Sequence, residues 1–358
     1  MDIKITRNPN PPSPPTGEFG FGALFTPHMF LLDYKKGEWQ NPRIEPYHDL
    51  KLDPAAKVLH YGQEIFEGMK AYANVDDGSV HMFRPAMNIK RFNISAHRVC
   101  MPAVDPELFM TALKRLIDLD RDWVPESPDA LYIRPTMISN QAGLGVKSGT
   151  EFLFYIIIGP VGSYFAGGIK PLRLKVEERY VRSAPGGTGY AKTGGNYAAA
   201  LLPIKLAQSE GYDNIIWLDA LTASTVEEMG AMNIAFVYED KIITAPVGDT
   251  ILDGVTRDSV GHLCTDFGYN WVEIPPVAAE ICADAASGML REAFACGTAA
   301  VVTPIGVMHF QGKDYQVADG REGEITLKLR ESLCRIHTGR SELHPEWLER
   351  VPKVEYAK

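Results

Sequence analysis

Residues 152–158 read Phe-Leu-Phe-Tyr-Ile-Ile-Ile, a run without polar alternation. Successive side chains of a strand point to opposite faces, so a strand of this composition has to be buried on both and sits at the centre of a sheet. Residues 29–34, 78–83 and 130–135 read as further strands, while residues 88–99 and 106–119 carry apolar side chains at helical spacing. Strands and helices mixed in this way indicate an α+β fold. The central run is followed at once by Gly159-Pro160-Val161-Gly162-Ser163-Tyr164-Phe165-Ala166-Gly167-Gly168, the composition of a connection between domains.

With 358 residues, two domains around separate cores are expected. They are a smaller N-terminal α+β domain over residues 1–158, an interdomain loop over 159–171 and a larger C-terminal domain over 172–358. Residues 1–20 contain Pro-Asn-Pro-Pro-Ser-Pro-Pro and are expected to form an extended tail. In the second half, strands are expected near 172–176, 215–219, 233–238 and 241–244. Helices are expected over 196–210, 256–267, 285–296 and 324–337, with a glycine-rich loop over 185–195.

Composition excludes several function classes. A formal net charge of -9 leaves no basic excess to release counterions from nucleic acid, so no nucleic-acid partner is expected. No run of roughly 18 apolar residues occurs, and residues 1–15 lack an apolar signal core, so no membrane partner and a cytoplasmic location are expected. The five cysteines (Cys100, Cys264, Cys282, Cys296, Cys334) form no C-x-x-C, and the nine histidines form no H-E-x-x-H. Neither a disulfide framework nor a metal site is therefore expected. Residues 143–148 lack the third glycine of a dinucleotide fingerprint and the G-K-[ST] of a P-loop, and no Gly-x-Ser-x-Gly is present.

Residues 186–197 read Gly-Gly-Thr-Gly-Tyr-Ala-Lys-Thr-Gly-Gly-Asn-Tyr, with Lys192 alone among small residues. Partial desolvation would disfavour its ammonium form and leave an amine able to form an imine. Taken alone, the segment reads equally as a flexible loop with an exposed lysine. Glu227-Glu228 precedes an apolar strand and offers a carboxylate able to keep a cofactor's ring nitrogen protonated; the bland alternative is a solvated turn. For an anion, Arg84 lies at a strand end, Val255-Thr256 follows a glycine turn at a helix start, and Gly297-Thr298-Ala299 is a further turn. Read singly, Arg84 could be a surface ion pair, and Thr256 or Thr298 ordinary caps. Tyr61, Tyr132, Tyr164 and Tyr197, with Phe66, could supply an apolar wall with phenol donors for a small apolar amino acid, or rim packing.

Taken in order, the segments H-Y-G-Q-E-I-F-E-G (60–68), F-R-P (83–85), Y-I-R-P-T (132–136), K-x-G-G-N-Y (192–197), E-M-G-A-M-N (228–233) and G-T-A (297–299) resemble the branched-chain amino-acid aminotransferases. These are class IV, pyridoxal-phosphate-dependent aminotransferases, and the resemblance runs over about residues 25–337. It implies the two-domain fold-type IV architecture (D-amino-acid aminotransferase-like), with pyridoxal 5'-phosphate between the domains. It also implies a homodimer, or a higher homo-oligomer built from dimers. The implied reaction is ping-pong amino transfer between L-leucine, L-isoleucine or L-valine and 2-oxoglutarate, the partners being small amino acids and 2-keto acids.

Matched motif by motif, the resemblance makes Lys192 the imine lysine and proton carrier and Glu228 the partner of the pyridine nitrogen. Tyr197 becomes the donor to the cofactor's phenolic oxygen. Arg84, Val255, Thr256 and Thr298 become phosphate contacts, and Arg182 an arginine near the cofactor. Tyr61, Phe66, Tyr132, Arg134 and Tyr164 would line the substrate pocket, and the turn at Thr298, Ala299 and Ala300 would offer N–H groups to the substrate carboxylate. Two departures stand out. Ala231 occupies the place of a common threonine, and Ala300 and Thr303 replace the C-x-x-C of mammalian members, so thiol control of that kind is not expected. Two competing readings stay open: a lyase, D-amino-acid or amine transaminase of the same fold, which a chiral substrate panel separates, and a non-catalytic protein that retained the scaffold, which pyridoxal phosphate binding separates.

Overall fold

A computed structural model of the chain describes residues 1–74, 76–162 and 170–354. The chain divides into two compact units. Unit 1 comprises Met1–Tyr164, Ala191–Gly194 and Arg335–Lys358; unit 2 comprises Phe165–Tyr190 and Gly195–Cys334.

In chain order the first elements are β1 (Lys4–Ile5), β2 (His28–Lys35), β3 (Glu38–Pro46), α1 (Lys57–Tyr61), β4 (Glu64–Phe66), β5 (Met69–Ala73), β6 (Val80–Phe83), α2 (Pro85–Arg98), α3 (Pro106–Leu119), β7 (Ala130–Ser139) and β8 (Phe152–Val161). There follow β9 (Leu172–Glu177), α4 (Gly194–Ala198), α5 (Leu201–Ser209), β10 (Asn214–Leu218), β11 (Val226–Met229), β12 (Asn233–Val237), β13 (Ile242–Thr244), α6 (Val255–Asp266), β14 (Trp271–Glu273), α7 (Ala278–Ser287), β15 (Glu292–Gly297), β16 (Val301–Phe310), β17 (Lys313–Gln316), α8 (Glu324–His337) and β18 (Leu348–Val351).

Unit 1 is built on a sheet of order β1-β3-β2-β8-β7-β5-β6-β18, with β4 added on β7. The apolar run lies on β8, which is flanked by β2 on one side and pairs with β7 from Ala130↔Val161 to Ser139↔Phe152 on the other. Its alternate residues face two different interiors. Phe154, Ile156 and Ile158 join the main core with Phe92 of α2 and Phe109 of α3, whereas Leu153, Tyr155 and Ile157 belong to a smaller cluster with Met29, Leu31 and Ile138. The rings of Phe92 and Phe109 lie 5.2 and 4.8 Å from that of Phe154, contacts that each add about 0.5–1.5 kcal/mol beyond area burial. Pro106 opens α3 at a position where no N–H is needed, and the Asp105 carboxylate accepts the Leu108 N–H at 2.8 Å.

Both chain ends differ from the sequence expectation. Lys4–Ile5 is not tail but a parallel edge strand on β3, with Ile3 buried and the Asn8 N–H donating to His28 Nε2 at 2.8 Å. Towards the other end, β18 pairs antiparallel with β6, so Leu348–Val351 extend the sheet of unit 1 and the chain after residue 172 does not form a single stretch.

Unit 2 carries a mixed sheet of order β11-β10-β9-β16-β15-β12-β13-β14, with β17 on β16. Three local expectations are corrected here. Residues 285–296 are not a helix: α7 stops at Ser287, Gly288 turns into the left-handed region, and β15 runs between β12 and β16. Ala293 to Cys296 are all buried, and an apolar run covered on both faces has no period that separates helix from strand. Residues 196–210 break into α4 and α5, because Pro203 is tolerated only in the first turn of a helix and a new helix starts at Leu201. Glu227 and Glu228 lie on a buried strand, β11, rather than on a turn.

Candidate active site

In unit 1, Lys192 is fixed through its backbone. Its N–H donates to Ser95 Oγ at 2.9 Å, and its carbonyl accepts the Phe66 N–H at 3.0 Å. The next residue, Thr193, donates its hydroxyl to the Glu64 carbonyl at 2.7 Å, and the Gly194 N–H is taken by the Glu64 carboxylate. The amine itself stands 4.8 Å from the centre of the Phe66 ring. Lys192 is thus a half-buried side chain on an ordered support, and the flexible-loop alternative is not what the structure contains.

The strand β7 presents Tyr132 and Arg134 on the same face, two residues apart. The Arg134 guanidinium lies 4.7 Å over the Phe66 ring and donates to the Tyr132 hydroxyl at 2.9 Å. Gly68 makes this approach possible, since a Cβ there would come within 2.2 Å of the Tyr132 hydroxyl oxygen. Arg134 Nε is buried without a hydrogen-bond partner among the described residues. Lys192, Phe66, Arg134 and Tyr132 are therefore gathered in one cluster.

Several members of this cluster carry no distinctive signal in the sequence. Glu67, fully buried, is gripped by Arg91 through both carboxylate oxygens (2.7 and 2.9 Å), by Asn88 at 2.8 Å and by the Gly68 N–H at 3.1 Å. Burial alone would raise its pKa, but the charges of Arg91 and Lys192 and these hydrogen bonds hold it below the ordinary glutamate value. Glu64 shows the opposite balance: burial pushes its pKa up against the pull of the Gly194 N–H and Arg134. Tyr155 of β8, opposite Thr136, is also raised by burial. Glu67 lies inside the 60–68 motif, yet its partners come from one face of α2, and only the helical spacing of Asn88, Arg91 and Ser95 hints at a polar stripe.

Two expected residues stand at other positions in unit 1. Tyr61, 42% exposed, donates its hydroxyl to the Leu144 carbonyl. Arg84 caps α2 from the left-handed region (φ 45°), its guanidinium 4.6 Å over the Trp347 ring. Tyr164 lies outside the described residues.

In unit 2, Glu228 is 2% exposed, and one carboxylate oxygen lies 3.0 Å from Arg182 Nε while the other accepts the Leu252 N–H at 2.7 Å. Arg182 also donates to the carbonyls of Thr250 (2.6 Å) and Gly189 (3.2 Å). Glu227, on the opposite face of β11, accepts the Thr250 hydroxyl at 2.6 Å; its second oxygen has no partner among the described residues, and burial, then Glu228, push its pKa up. The structure therefore separates the two neighbours: Glu228 pairs directly with Arg182, which acts on Glu227 only at longer range.

Leu252 leads into the start of α6, where Val255 and Thr256 form a buried first turn after Gly254, an N-cap residue with no side chain to cap the helix. A Cβ on Gly254 would fall 2.0 Å from Asn233 Oδ1, so glycine alone lets the backbone pass there. Asn233 donates to the Leu252 carbonyl at 3.1 Å, which ties the E-M-G-A-M-N segment to this turn. Thr298, Ala299 and Ala300 make the tight connection between β15 and β16, and Arg330 donates to the carbonyls of Ala300 (2.7 Å) and Val302 (2.6 Å) behind it. Tyr197 is half-buried on α4; its neighbour Asn196 exchanges hydrogen bonds with Thr188 at 2.7 and 2.8 Å and so closes the glycine-rich loop. Ala231 is exposed in the turn that follows β11.

No group of histidine, cysteine, aspartate or glutamate suited to a metal occurs among the described residues, and no helix there is long and apolar enough to cross a membrane. Cys296, beside Glu228, is pushed up to about 12 by burial, which leaves it an unreactive thiol.

Comparison with known proteins agrees with the motif order. The family model described as amino-transferase class IV matches residues 64–307. The chain is 46% identical over 330 residues to branched-chain-amino-acid transaminase 1 of Bacillus subtilis, covering 91% of this chain and 92% of that protein. It is 41% identical over 363 residues to the branched-chain-amino-acid aminotransferase of Mycolicibacterium smegmatis, covering 98% of each. Among solved structures, a branched-chain amino acid aminotransferase from T.th., complexed with N-(5'-phosphopyridoxyl)-L-glutamate, is similar at 27% identity with a TM-score of 0.73, over 90% of this chain and 98% of that one. The chain belongs to the class IV aminotransferases and, within them, to the branched-chain amino-acid aminotransferases.

Proposed function

We propose that the chain catalyses reversible amino transfer between L-leucine, L-isoleucine or L-valine and 2-oxoglutarate, with pyridoxal 5'-phosphate as cofactor and Lys192 as its anchor. The observation that carries this reading is the support of Lys192, a single amine among small residues whose backbone is bonded on both sides and which stands over Phe66 near ionised Glu67. The similar T.th. enzyme, solved with a phosphopyridoxyl-glutamate adduct, favours both the cofactor and glutamate as one amino donor.

The residues present fit such a cofactor. The first turn of α6 offers N–H groups and the Thr256 hydroxyl to a phosphate, with Val255 in the same turn, and Gly254 lets the backbone pass Asn233 on its way into that turn. Arg84 and Thr298 are the further phosphate donors in this reading. In this reading buried Glu228 would hold a proton on the ring nitrogen, oriented by its contacts with Arg182 and the Leu252 N–H. Tyr197 donates to the phenolic oxygen. Bound pyridoxal phosphate supplies a carbonyl carbon that takes up the amino group and a conjugated ring that delocalises the electrons of the substrate's α-carbon.

The chain's own groups do the rest. Lys192 Nζ would be the base that removes the substrate's α-proton and the acid that returns it. Arg134 Nε, a buried donor with no partner among the described residues, and the N–H groups of Ala299 and Ala300 are suited to a carboxylate. Phe66 and Tyr132 provide the apolar and phenolic wall in this reading. In this proposal the working form is a cytoplasmic homodimer or an assembly of dimers. Incubating cofactor-loaded protein with L-leucine and 2-oxoglutarate tests the reading: glutamate and 4-methyl-2-oxopentanoate should appear in equal amounts, and their absence from folded, loaded protein would refute it.

A further inference from the structure

Arg84 has an uncommon setting that the motif alone does not explain. It adopts the left-handed conformation immediately before Pro85, which opens α2, and residues before proline avoid helical geometry. The segment that holds it there comes from the far end of the chain. The Arg84 N–H donates to the Trp347 carbonyl at 2.7 Å, and the guanidinium lies 4.6 Å over the Trp347 ring. Trp347 is itself wedged: its ring meets Phe83 edge-on at 5.8 Å and stacks at 3.8 Å on His344, which is bonded to Glu346 at 3.0 Å. The strand β18 then starts at Leu348, in register with Phe83.

One residue thus grips both the backbone and the head group of Arg84. With its guanidinium carbon 4.6 Å from the centre of the indole ring and Glu346 close enough to feel its charge, Arg84 is held in one place, and its planar set of N–H donors suits phosphate oxygens. We infer that Trp347 is a positioning residue for phosphate recognition: the C-terminal segment sets Arg84, and thereby the affinity for the phosphorylated form of the cofactor over the unphosphorylated one. This inference rests on the assignment of Arg84 to the cofactor phosphate in the proposed function.

The test is a binding titration on the full-length chain freed of cofactor, following the absorption of added pyridoxal 5'-phosphate and, separately, of pyridoxal, which lacks the phosphate. The chains compared are the parent, Arg84→Ala, Trp347→Leu, Trp347→Phe and the Arg84→Ala/Trp347→Leu double variant, each checked for a parental far-ultraviolet spectrum. Trp347→Leu should weaken pyridoxal phosphate on the order of ten-fold while leaving pyridoxal unchanged. Trp347→Phe should recover most of that loss, and in the Arg84→Ala background Trp347→Leu should add nothing. If Trp347→Leu weakens both ligands equally, or adds its full effect on top of Arg84→Ala, Trp347 acts as structure only and the inference is overturned. If Arg84→Ala itself leaves the preference for the phosphorylated ligand unchanged, the assignment of Arg84 fails and the inference falls with its premise. A normal Arg84→Ala loss with no Trp347→Leu effect retains the assignment and rejects the inference alone.

Discussion

Replacing Glu228 by glutamine keeps the shape of the side chain and removes its charge, which leaves Arg182 buried in unit 2 without its direct ion-pair partner. At the observed 3.0 Å, an effective dielectric of about 20 puts the gross attraction at roughly 5 kcal/mol. Removing one partner of a buried pair typically costs about 3–5 kcal/mol. Arg182 keeps the carbonyls of Gly189 and Thr250 as acceptors, and a glutamine oxygen can still take the Leu252 N–H, so the lower end, about 3 kcal/mol, applies. An unfolding entropy of about 2.1 cal/mol/K per residue over the 358 residues converts this to a fall in Tm of roughly 4 °C, and to more if unit 2 unfolds by itself. Circular dichroism melts of the cofactor-free chain at neutral pH measure it. The decisive comparison is Arg182→Met/Glu228→Gln, which removes both charges and should be more stable than Glu228→Gln alone, while both variants lose transamination. A Glu228→Gln chain melting within about 1 °C of the parent, or a double variant no better than the single one, would refute the ion-pair reasoning.

Glu67 should dominate the acid limb of stability in unit 1. Its folded pKa lies below the ordinary 4.5, so its contribution is complete above that value and is lost as the pH falls through the folded one. Glu67→Gln should therefore be about 3 kcal/mol less stable at neutral pH, with the gap closing as the pH falls below the ordinary glutamate range; urea unfolding at several pH values would show a constant gap if the reasoning is wrong. Glu227 has the reverse sign. Its raised pKa means the folded state favours the neutral acid, so a penalty appears as the pH rises above 4.5. Glu227→Gln should be neutral or stabilising by up to about 1 kcal/mol at neutral pH and without effect in acid, whereas a marked destabilisation would give Glu227 a partner role. Gly189→Ala would bring a Cβ within 2.4 Å of the Thr250 carbonyl, a backbone atom that cannot swing aside. It should cost about 1–3 kcal/mol in a thermal melt, and an unchanged Tm would contradict the packing described.

Much of the fold and of the candidate site is readable because the informative segments are local. The Phe152–Val161 strand announces its burial by composition, α3 by the helical spacing of its apolar residues, and the Lys192 segment by a lone amine among glycines. What stays hidden depends on residues far apart in sequence. The partner of Glu67 is set by the docking of α2, the partner of Glu228 by a loop forty-odd residues upstream, and the setting of Arg84 by Trp347 near the C-terminus. β15 reads as a helix for a related reason: once neighbours cover both faces of a strand, the alternation that would identify it disappears. Likewise, Lys4 and Ile5 could become an edge strand only because β3 offered unpaired backbone groups.

The central claim is that Lys192 carries the cofactor and the proton. Visible absorption spectra of the purified chain, recorded before and after addition of L-leucine and set beside those of Lys192→Ala, test it most directly. The parent should show a protein-bound pyridoxal phosphate band that shifts with leucine and returns with 2-oxoglutarate, while Lys192→Ala should bind the cofactor without completing the cycle. A parent that stays colourless with added cofactor, or a Lys192→Ala chain that still turns over leucine, would contradict it.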